Sequence, residues 1–430
     1  MSLYNKKISA YFTINKITRG FFIAFLSAGA IYLDWMGTVN PFINTLLALS
    51  AIFFWLISDK KVWVWSGFFI GILWFWWMGV SFVHYQMPWA VPLVIFIAGL
   101  IYSVVFYLSI TAVYLLEKYL KVNNLIGKAL LLLIFSYIHP LGFDWFKPEL
   151  LFTNSYLGVE KWQFGLILLG ISLAIYKRNL LFLFILLGAY PFLKHFENNR
   201  EINEKITLHN SYISVEDKWD IRYKSQHIDE VMRAIYQAID DKQEIIVFPE
   251  SIFALYLNRE EKLLTILKNY SHKITIVVGG LYWDNPIPRN STYIFQKGEY
   301  TIANKVVLVP FGEQNPLPAW LGKWVNKIFF DGAPDYVAAK NFTDYTVKGT
   351  TYRNAICFEA TSEKLYEGDP KNMIVLSNNG WLMPSIEPTQ QKILLEFYSK
   401  KYGTTIYHSV NMSPAYIVHN GKIVEKGVKK

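Results

Sequence analysis

The only cysteine of the chain, Cys357, ends an apolar segment that is typical of a strand running into a turn. Glu250 and Lys305 have similar positions, each at the end or edge of an apolar run. Side chains that follow neighbouring strands meet at one edge of a sheet, so a thiol, a carboxylate and an amine would converge there. A thiol nucleophile needs a proton acceptor and a cation at the developing oxyanion, and Glu250 and Lys305 are residues of these types.

Each of these residues also has a purely structural interpretation. A single cysteine cannot form an intramolecular disulfide, and it is often simply a small buried hydrophobic residue. Glu250 would then be a helix cap or a surface acid, and Lys305 a solvated lysine at a sheet edge. Two further acids have candidate supporting roles. Glu313 would orient Lys305 or Glu250, and Glu359 would hold the turn at the cysteine.

The composition divides the chain into two halves. The whole is 53% hydrophobic and only 17% charged, and the charges are concentrated after residue 193. We therefore predict a transmembrane bundle over residues 1–193 and a globular domain over residues 194–430. A span needs ~20 mostly apolar residues, and the last three of the seven predicted spans are short by that measure. The predicted spans are residues 20–36, 40–57, 62–83, 91–116, 125–138, 162–176 and 180–193.

Basic residues accumulate on one side of these predicted spans. They precede the first span and fill alternate loops: Lys6, Lys7, Lys16, Arg19, Lys60, Lys61, Lys118, Lys121, Lys177 and Arg178. Positive loops stay inside, so the N-terminus is predicted to be cytoplasmic and residues 194–430 to lie outside. The net charge of +9 follows mainly from this bias and gives no argument for nucleic-acid binding. A free cysteine outside the cytoplasm is an oxidation target, which favours a functional role for it.

The second half alternates strand-like and helix-like segments, which predicts a layered α/β domain with helices on both faces. Strands are predicted at 206–215, 244–248, 273–279, 292–296, 301–308, 346–351, 354–357, 373–377, 405–410 and 415–418, with helices at 227–239, 259–270 and 387–401. The sequence contains no Gly-rich phosphate loop, and its eight histidines lack metal-ligand spacing. A nucleotide-dependent or metal-dependent enzyme is therefore not expected.

Three motifs, in order along the chain, resemble those around the Glu-Lys-Cys triad of the nitrilase superfamily. They are FPE at 248–250, NK at 304–305 followed by VPFGE at 309–313, and ICFE at 356–359. The segment SNNGW at 377–381 resembles a Ser-Asn-Asp-Ala-Trp segment of that superfamily and adds Asn378 and Trp381 as candidate site residues. Together with the multi-span first half, the chain resembles the family of apolipoprotein N-acyltransferases of the bacterial inner membrane.

The resemblance implies an α-β-β-α sandwich and a ping-pong acyl transfer. Glu250 would deprotonate Cys357, which would take an acyl chain from a membrane phospholipid as a thioester. Lys305 and the backbone N–H of Phe358 would stabilise the oxyanion, with Glu313 and Glu359 in support. The acceptor would be the α-amino group of a diacylglyceryl-cysteine on a lipoprotein, in the last step of lipoprotein maturation. No cofactor or metal is implied.

Aromatic residues suggest lipid contacts in two places. The segment 140–146, with Trp145, is predicted to anchor at the membrane interface, and a substrate contact of Trp145 is the alternative. Residues 315–330, with Trp320 and Trp324, would form a mobile arm over the thiol, and ordinary core packing is the alternative.

The chain departs from the resembled family in three ways. It ends without a final apolar span, which predicts a C-terminus that stays outside. Phe358 stands where a tyrosine is common, and Asn379 and Gly380 replace aspartate and alanine. Two other functions remain open: a membrane-anchored amidase that hydrolyses a small amide, and a non-catalytic membrane scaffold.

Overall fold

The computed structural model describes residues 13–139, 143–191, 202–315, 320, 322 and 336–424. The chain divides into two compact units. The first comprises Met1–Ile138, Phe146–Asn198 and Pro384–Phe397, and the second His139–Trp145, Asn199–Met383 and Tyr398–Lys430. The sequence predicted a single boundary after residue 193. Two short segments depart from it, because His139–Trp145 belongs to the second unit and Pro384–Phe397 belongs to the first.

Helices build the first unit. They are Ile14–Trp35, Pro41–Ile57, Lys60–Phe75, Ser81–His84, Ala90–Leu120, Asn124–Phe135 and Lys161–Lys177. Polar caps set several of their starts: the Asn40 side chain accepts hydrogen bonds from the backbone N–H groups of Phe42 and Ile43. In the part of the chain that the structure describes, three helical stretches are long and apolar enough to cross a membrane. They are Ile14–Trp35, Ala90–Leu120 and the stretch Lys60–His84, which includes both Lys60–Phe75 and Ser81–His84.

The last predicted span differs from the expectation of an α-helix. Its described part is a ten-residue 3₁₀ helix, Leu180–Ala189. At ~2.0 Å per residue such a helix is about 20 Å long, which is less than the ~30 Å of bilayer hydrocarbon. Apolar composition predicted the segment, but composition does not distinguish the 3₁₀ from the α conformation.

Polar pairs connect Pro384–Phe397 to the helices of the first unit. The ammonium of Lys392 lies 2.5 Å from Asp34 Oδ1, and Trp77 Nε1 donates to Gln390 Oε1 at 2.7 Å. Buried polar groups require such partners. The sequence pattern did not reveal the pairing, because the partners are more than 300 residues apart in the chain.

The described part of the second unit contains two six-stranded sheets. The first has β1 Ile206–Leu208, β2 Ile245–Val247, β3 Phe253–Tyr256, β4 Thr275–Asp284, β5 Ile287–Gln296 and β6 Glu299–Asn304. Its order is β1-β2-β4-β5-β6, with β3 also paired to β4. The second sheet has β7 Asp344–Val347, β8 Thr350–Ile356, β9 Asn372–Asn378, β10 Thr405–Asn411, β11 Tyr416–His419 and β12 Lys422–Val424, in the order β12-β11-β10-β9-β8-β7.

Successive residues of a strand point to opposite faces of the sheet, so the core of this unit consists of two clusters. Ile246 and its same-face neighbours pack against the helices Lys224–Asp240 and Glu261–Tyr270. Val247, one residue later, points to the opposite face and packs in a cluster with residues of the second sheet such as Leu376. The order is therefore helix, sheet, sheet, and the predicted fold class, an apolar helical bundle followed by a layered α/β domain, is confirmed.

Two strands end earlier than predicted, and the backbone N–H groups that follow them bond to side chains. The first predicted strand stops at Leu208, and Ser214 then caps a short helix, Val215–Trp219. The predicted strand 301–308 stops at Asn304, because the N–H groups of the following valines bond to a carboxylate instead of a neighbouring strand. β3 and β12 were not predicted.

A buried histidine in β10 makes the stability of the second unit sensitive to acid. His408 is fully buried, and its Nε2 lies 2.6 Å from Ser377 Oγ. Burial lowers the pKa of His408 to about 3. The unfolded chain binds a proton on this residue below its ordinary pKa of ~6.5, so protons favour unfolding between that value and about 3.

We therefore expect the free energy of unfolding to fall as the pH drops below ~6.5, by about 1.4 kcal/mol per unit from this group. Thermal midpoints of the full chain in detergent, measured from pH 7 to pH 4, would report this slope. His408→Gln should flatten it, whereas His272→Gln, at an exposed histidine, should not. An unchanged slope in His408→Gln would contradict the assignment.

Candidate active site

A buried lysine joins two carboxylates at the carboxyl-end edge of the first sheet. Lys305, one residue beyond β6, places Nζ 2.8 Å from Glu313 Oε2 and 3.8 Å from Glu250 Oε1. Burial lowers the pKa of Lys305, but the charges of Glu313, Glu250 and Cys357 outweigh burial and raise it above its usual value. Lys305 is therefore an ammonium at neutral pH.

Asn290 of β5 connects the two acids and was missed by sequence reasoning. Its Nδ2 donates to Glu250 Oε1 at 2.7 Å and to Glu313 Oε1 at 2.9 Å. Its backbone carbonyl accepts from the N–H of Lys305 at 3.0 Å. One strand residue thus fixes Glu250, Glu313 and Lys305. No local signal marks it, because an asparagine inside a strand has no distinctive spacing.

The acid lies on a tight turn that presses against a neighbouring strand. Glu250 follows β2, and Ser251 after it has a left-handed φ of 49°. A Cβ built on Gly279 of β4 would lie 2.5 Å from Ser251 N and 2.7 Å from Glu250 Cα. Only glycine permits this approach, so the backbone position of Glu250 depends on Gly279.

Cys357 begins a second strained turn. It follows β8 directly, has a left-handed φ of 53° and opens the short 3₁₀ helix Cys357–Thr361. Its thiol is partly exposed, and its charge acts on Lys305. Non-glycine residues in this conformation cost of order 1–3 kcal/mol and cluster at functional sites. The structure therefore brings Glu250, Lys305 and Cys357 into one site, while their roles remain predictions.

Glu359 connects the cysteine turn to the lysine segment. One carboxylate oxygen accepts from Ile356 N at 2.7 Å, and the other accepts from Val306 N at 2.7 Å and Val307 N at 3.2 Å. Burial raises the pKa of Glu359 to about 7, although these three N–H groups and Lys305 oppose the rise. The predicted supporting acid thus bridges the ends of β8 and β6.

Lys218 is a second buried lysine at the site, and sequence reasoning missed it as well. Its Nζ donates to the backbone carbonyl of Glu250 at 3.1 Å. Burial lowers the pKa of Lys218 to about 8, while the charges of Glu250 and Cys357 act in the opposite direction. Lys218 lies in a polar stretch of the sequence whose composition gives no sign of burial.

Aromatic rings pack on the residue that follows the cysteine. Phe143 and Trp145 stack on Phe358, with ring centroids 6.1 Å and 6.4 Å away, and Trp145 Nε1 donates to Thr361 Oγ1 at 2.8 Å. Trp145 is only 2% exposed. The prediction that Trp145 anchors at the membrane interface is therefore wrong. The aromatic composition of the loop suited an interface equally well, and only the tertiary contacts distinguish the two.

The remaining predicted site residues have varied positions. Asn378 Oδ1 accepts from Asn411 Nδ2 at 2.8 Å and from Gly380 N at 3.2 Å, which organises the turn after β9. Trp381 lies in the short 3₁₀ helix that follows. Trp320 is 75% exposed, and Trp324 lies outside the described residues.

One histidine and two acids form a cluster that sequence spacing did not indicate. Ligand-type atoms of His139, Asp144 and Glu363 lie within 4.8 Å of one another, beside a cavity of about 710 Å³. His139 pairs with Asp144, while the ammonium of Lys401 and the hydroxyl of Tyr402 contact Glu363. The N–H of Glu363 also donates to Asp144 Oδ2 at 2.9 Å, so these pairings connect the residue before Trp145 to the segment that follows the cysteine turn.

Comparison with known proteins gives consistent matches over both halves. Residues 14–195 match the family model described as the apolipoprotein N-acyltransferase integral membrane domain. Proteins named apolipoprotein N-acyltransferase from Wolinella succinogenes and Campylobacter jejuni are 39% and 32% identical to the chain. The alignments cover 92% of this chain and 94% of the first relative, and 100% and 95% for the second.

Solved structures resemble about half of the chain more distantly. A CN-hydrolase superfamily protein from Xanthomonas campestris is 11% identical, with a TM-score of 0.38, over 51% of this chain and 83% of that one. A nitrilase-superfamily amidase from Nesterenkonia is 12% identical, with a TM-score of 0.39, over 52% of this chain and 86% of that one. These similarities are too low to support an argument about function.

The close contact at Gly279 predicts that alanine destabilises the protein at this position but not at the adjacent Gly280. Gly279→Ala must displace the backbone of Glu250 or Ser251, so we expect a destabilisation of about 1–3 kcal/mol, typical of overpacking. The nearest atom to a Cβ on Gly280 is 3.5 Å away, an ordinary contact. Gly280→Ala is the matched control and should change stability little. Equal thermal midpoints for the two variants would contradict the prediction.

Proposed function

The chain belongs to the apolipoprotein N-acyltransferase family, and from this premise we propose that it transfers a fatty acyl chain from a membrane phospholipid to bacterial lipoproteins. The acceptor is the α-amino group of the diacylglyceryl-cysteine at the lipoprotein N-terminus, and the reaction is the last step of lipoprotein maturation. The observation that carries the proposal is the buried Glu250–Lys305–Glu313 network beside the strained turn of Cys357.

The first half-reaction forms a thioester. Glu250 accepts the proton of the Cys357 thiol, and the thiolate attacks the carbonyl carbon of a phospholipid ester. A C–S bond forms, and the carbonyl oxygen becomes an oxyanion that faces the Lys305 ammonium and the backbone N–H of Phe358. Collapse of this intermediate breaks the C–O bond. The lysophospholipid alkoxide leaves with the proton that Glu250 held.

The second half-reaction transfers the acyl chain to the amine. The free α-amino group of the lipoprotein attacks the thioester carbonyl, and the same two donors face the second oxyanion. A C–N bond forms, the C–S bond breaks, and Glu250 returns the proton of the amine to the Cys357 sulfur. The products are a triacylated lipoprotein and the free thiol, so both halves use one set of groups.

Fixed hydrogen bonds support this division of roles. Glu250 keeps one orientation because Asn290 binds its Oε1, and Lys305 is held by Glu313 at 2.8 Å. Donors and charges that are oriented before the reaction need no reorganisation as the oxyanion develops. The raised pKa of Lys305 maintains its charge throughout the cycle.

We further propose that the N-terminus is cytoplasmic and that the second unit lies on the outer side of the inner membrane. Lys60 lies at the start of one helix, and Lys118 and Lys177 lie in the last turns of two others, which supports this orientation. Positive charges accumulate on that side of membrane proteins. Both lipid substrates are then supplied from the outer leaflet.

The acyl-enzyme is directly testable by mass spectrometry. The purified protein, incubated with phospholipid vesicles, should gain the mass of one fatty acyl chain, and hydroxylamine should remove it because thioesters are labile to this reagent. Cys357→Ala should show no gain. Glu250→Gln should slow the gain by about 10²–10⁴-fold, the usual contribution of a general base. A folded protein that gains no acyl chain but hydrolyses a small amide would favour an amidase instead.

The orientation is testable by cysteine labelling, because Cys357→Ala leaves no cysteine in the chain. In this background, Lys262→Cys in the second unit should react with a membrane-impermeant maleimide on intact spheroplasts. Lys118→Cys, at the predicted cytoplasmic side, is the matched control and should react only after permeabilisation. The reverse pattern would overturn the proposed topology.

A further inference from the structure

Lys218 is a buried ammonium with few partners. The residue is 4% exposed, and its Nζ donates to the carbonyl of Glu250 at 3.1 Å. Among the residues that the structure describes, this neutral carbonyl is its only hydrogen-bond partner, and no carboxylate lies within ion-pair distance of it. An ammonium has three N–H donors, so two of them remain to be used.

Such an arrangement is costly for a folded protein. Burial of a charge without a paired opposite charge costs several kcal/mol, and buried lysines usually have a carboxylate partner. Lys305 illustrates the usual solution, with Glu313 at 2.8 Å. A residue that is retained at such a cost is a candidate for function.

The charge balance of the site indicates what Lys218 does. Glu250, Glu313 and Lys305 together carry one net negative charge, which opposes ionisation of a neighbouring thiol. Lys218 offsets this negative charge, to which Glu359 also contributes when it is ionised. The Lys218 ammonium lies 3.1 Å from the Glu250 carbonyl. Burial lowers the pKa of Lys218 to about 8 while the charges of Glu250 and Cys357 raise it, so the ammonium is mostly protonated at pH 7.

We propose that Lys218 is a second cation of the active site, which stabilises the thiolate of Cys357 and thereby complements Lys305. Lys305 is engaged by Glu313 and Glu250, whereas the ammonium of Lys218 keeps two donors for the anion that forms when Glu250 takes the thiol proton. The inference rests on the proposed function only in treating Cys357 as the nucleophile. It adds a positioning charge, not a new step.

The single cysteine makes the test direct. Iodoacetamide alkylates the thiolate, so the alkylation rate of the full chain in detergent, followed by mass spectrometry from pH 5 to pH 10, titrates Cys357 alone. Lys218→Met should raise the midpoint of this titration by about one pH unit, which is roughly a tenfold lower rate at low pH. Lys262→Met, at an exposed lysine, is the control and should leave the midpoint unchanged.

Three more measurements distinguish an effect of the Lys218 charge from an effect of Lys218 on the fold. Lys218→Gln keeps an N–H donor without the charge, so it should shift the midpoint as Lys218→Met does, and it also serves if the methionine variant fails to fold. Lys218→Arg should retain most of the wild-type midpoint. The thermal midpoint of Lys218→Met should be unchanged or higher, because a buried unpaired charge is removed. A lower thermal midpoint together with an unmoved thiol titration would overturn the proposal and leave Lys218 a structural residue.

The outcome is independent of the proposed function, since the titration uses no lipid. If the wild-type protein forms no thioester but its thiol titration depends on Lys218, the acyl transfer fails and this inference stands. If the thioester forms and the titration does not move, only this inference fails.

Discussion

The contact between Lys305 and its two carboxylates is the constraint on which the rest of the site depends. A buried ion pair is stable only if the desolvated charges also receive well-placed hydrogen bonds. Here Asn290 donates to both acids, and Val309 donates its N–H to Glu313 at 2.9 Å. The network therefore requires a side-chain donor at position 290 of β5 that reaches both carboxylates.

The membrane unit includes a segment from the second half of the sequence, which composition did not predict. Apolar length located its helices, and polar caps explain several of their boundaries. Composition did not indicate that Pro384–Phe397 belongs to this unit, where Lys392 pairs with Asp34 and Gln390 with Trp77. Polar pairs in an otherwise apolar bundle give a specific attachment point, because each partner would be costly to bury alone.

Much of the site was predictable from sequence, and the reason is geometric. Glu250, Lys305 and Cys357 each follow a strand, and strand ends can be located from apolar runs and flanking turn residues. Asn290 and Lys218 were not predictable, because an interior strand position and a polar stretch look ordinary until the fold brings them to Glu250. The same limit explains Trp145, whose partner Phe358 is more than 200 residues away in the chain.

Glu359 binds the ends of two strands that belong to different sheets. Ile356 closes β8 of the second sheet, while Val306 and Val307 follow β6 of the first. The spacing between Cys357 and Lys305 is thus set in part by the packing between the sheets. A substitution that loosens this packing would change the spacing of Cys357 and Lys305 before the domain unfolds. The stability of this domain and the geometry of its candidate site therefore depend on the same contacts.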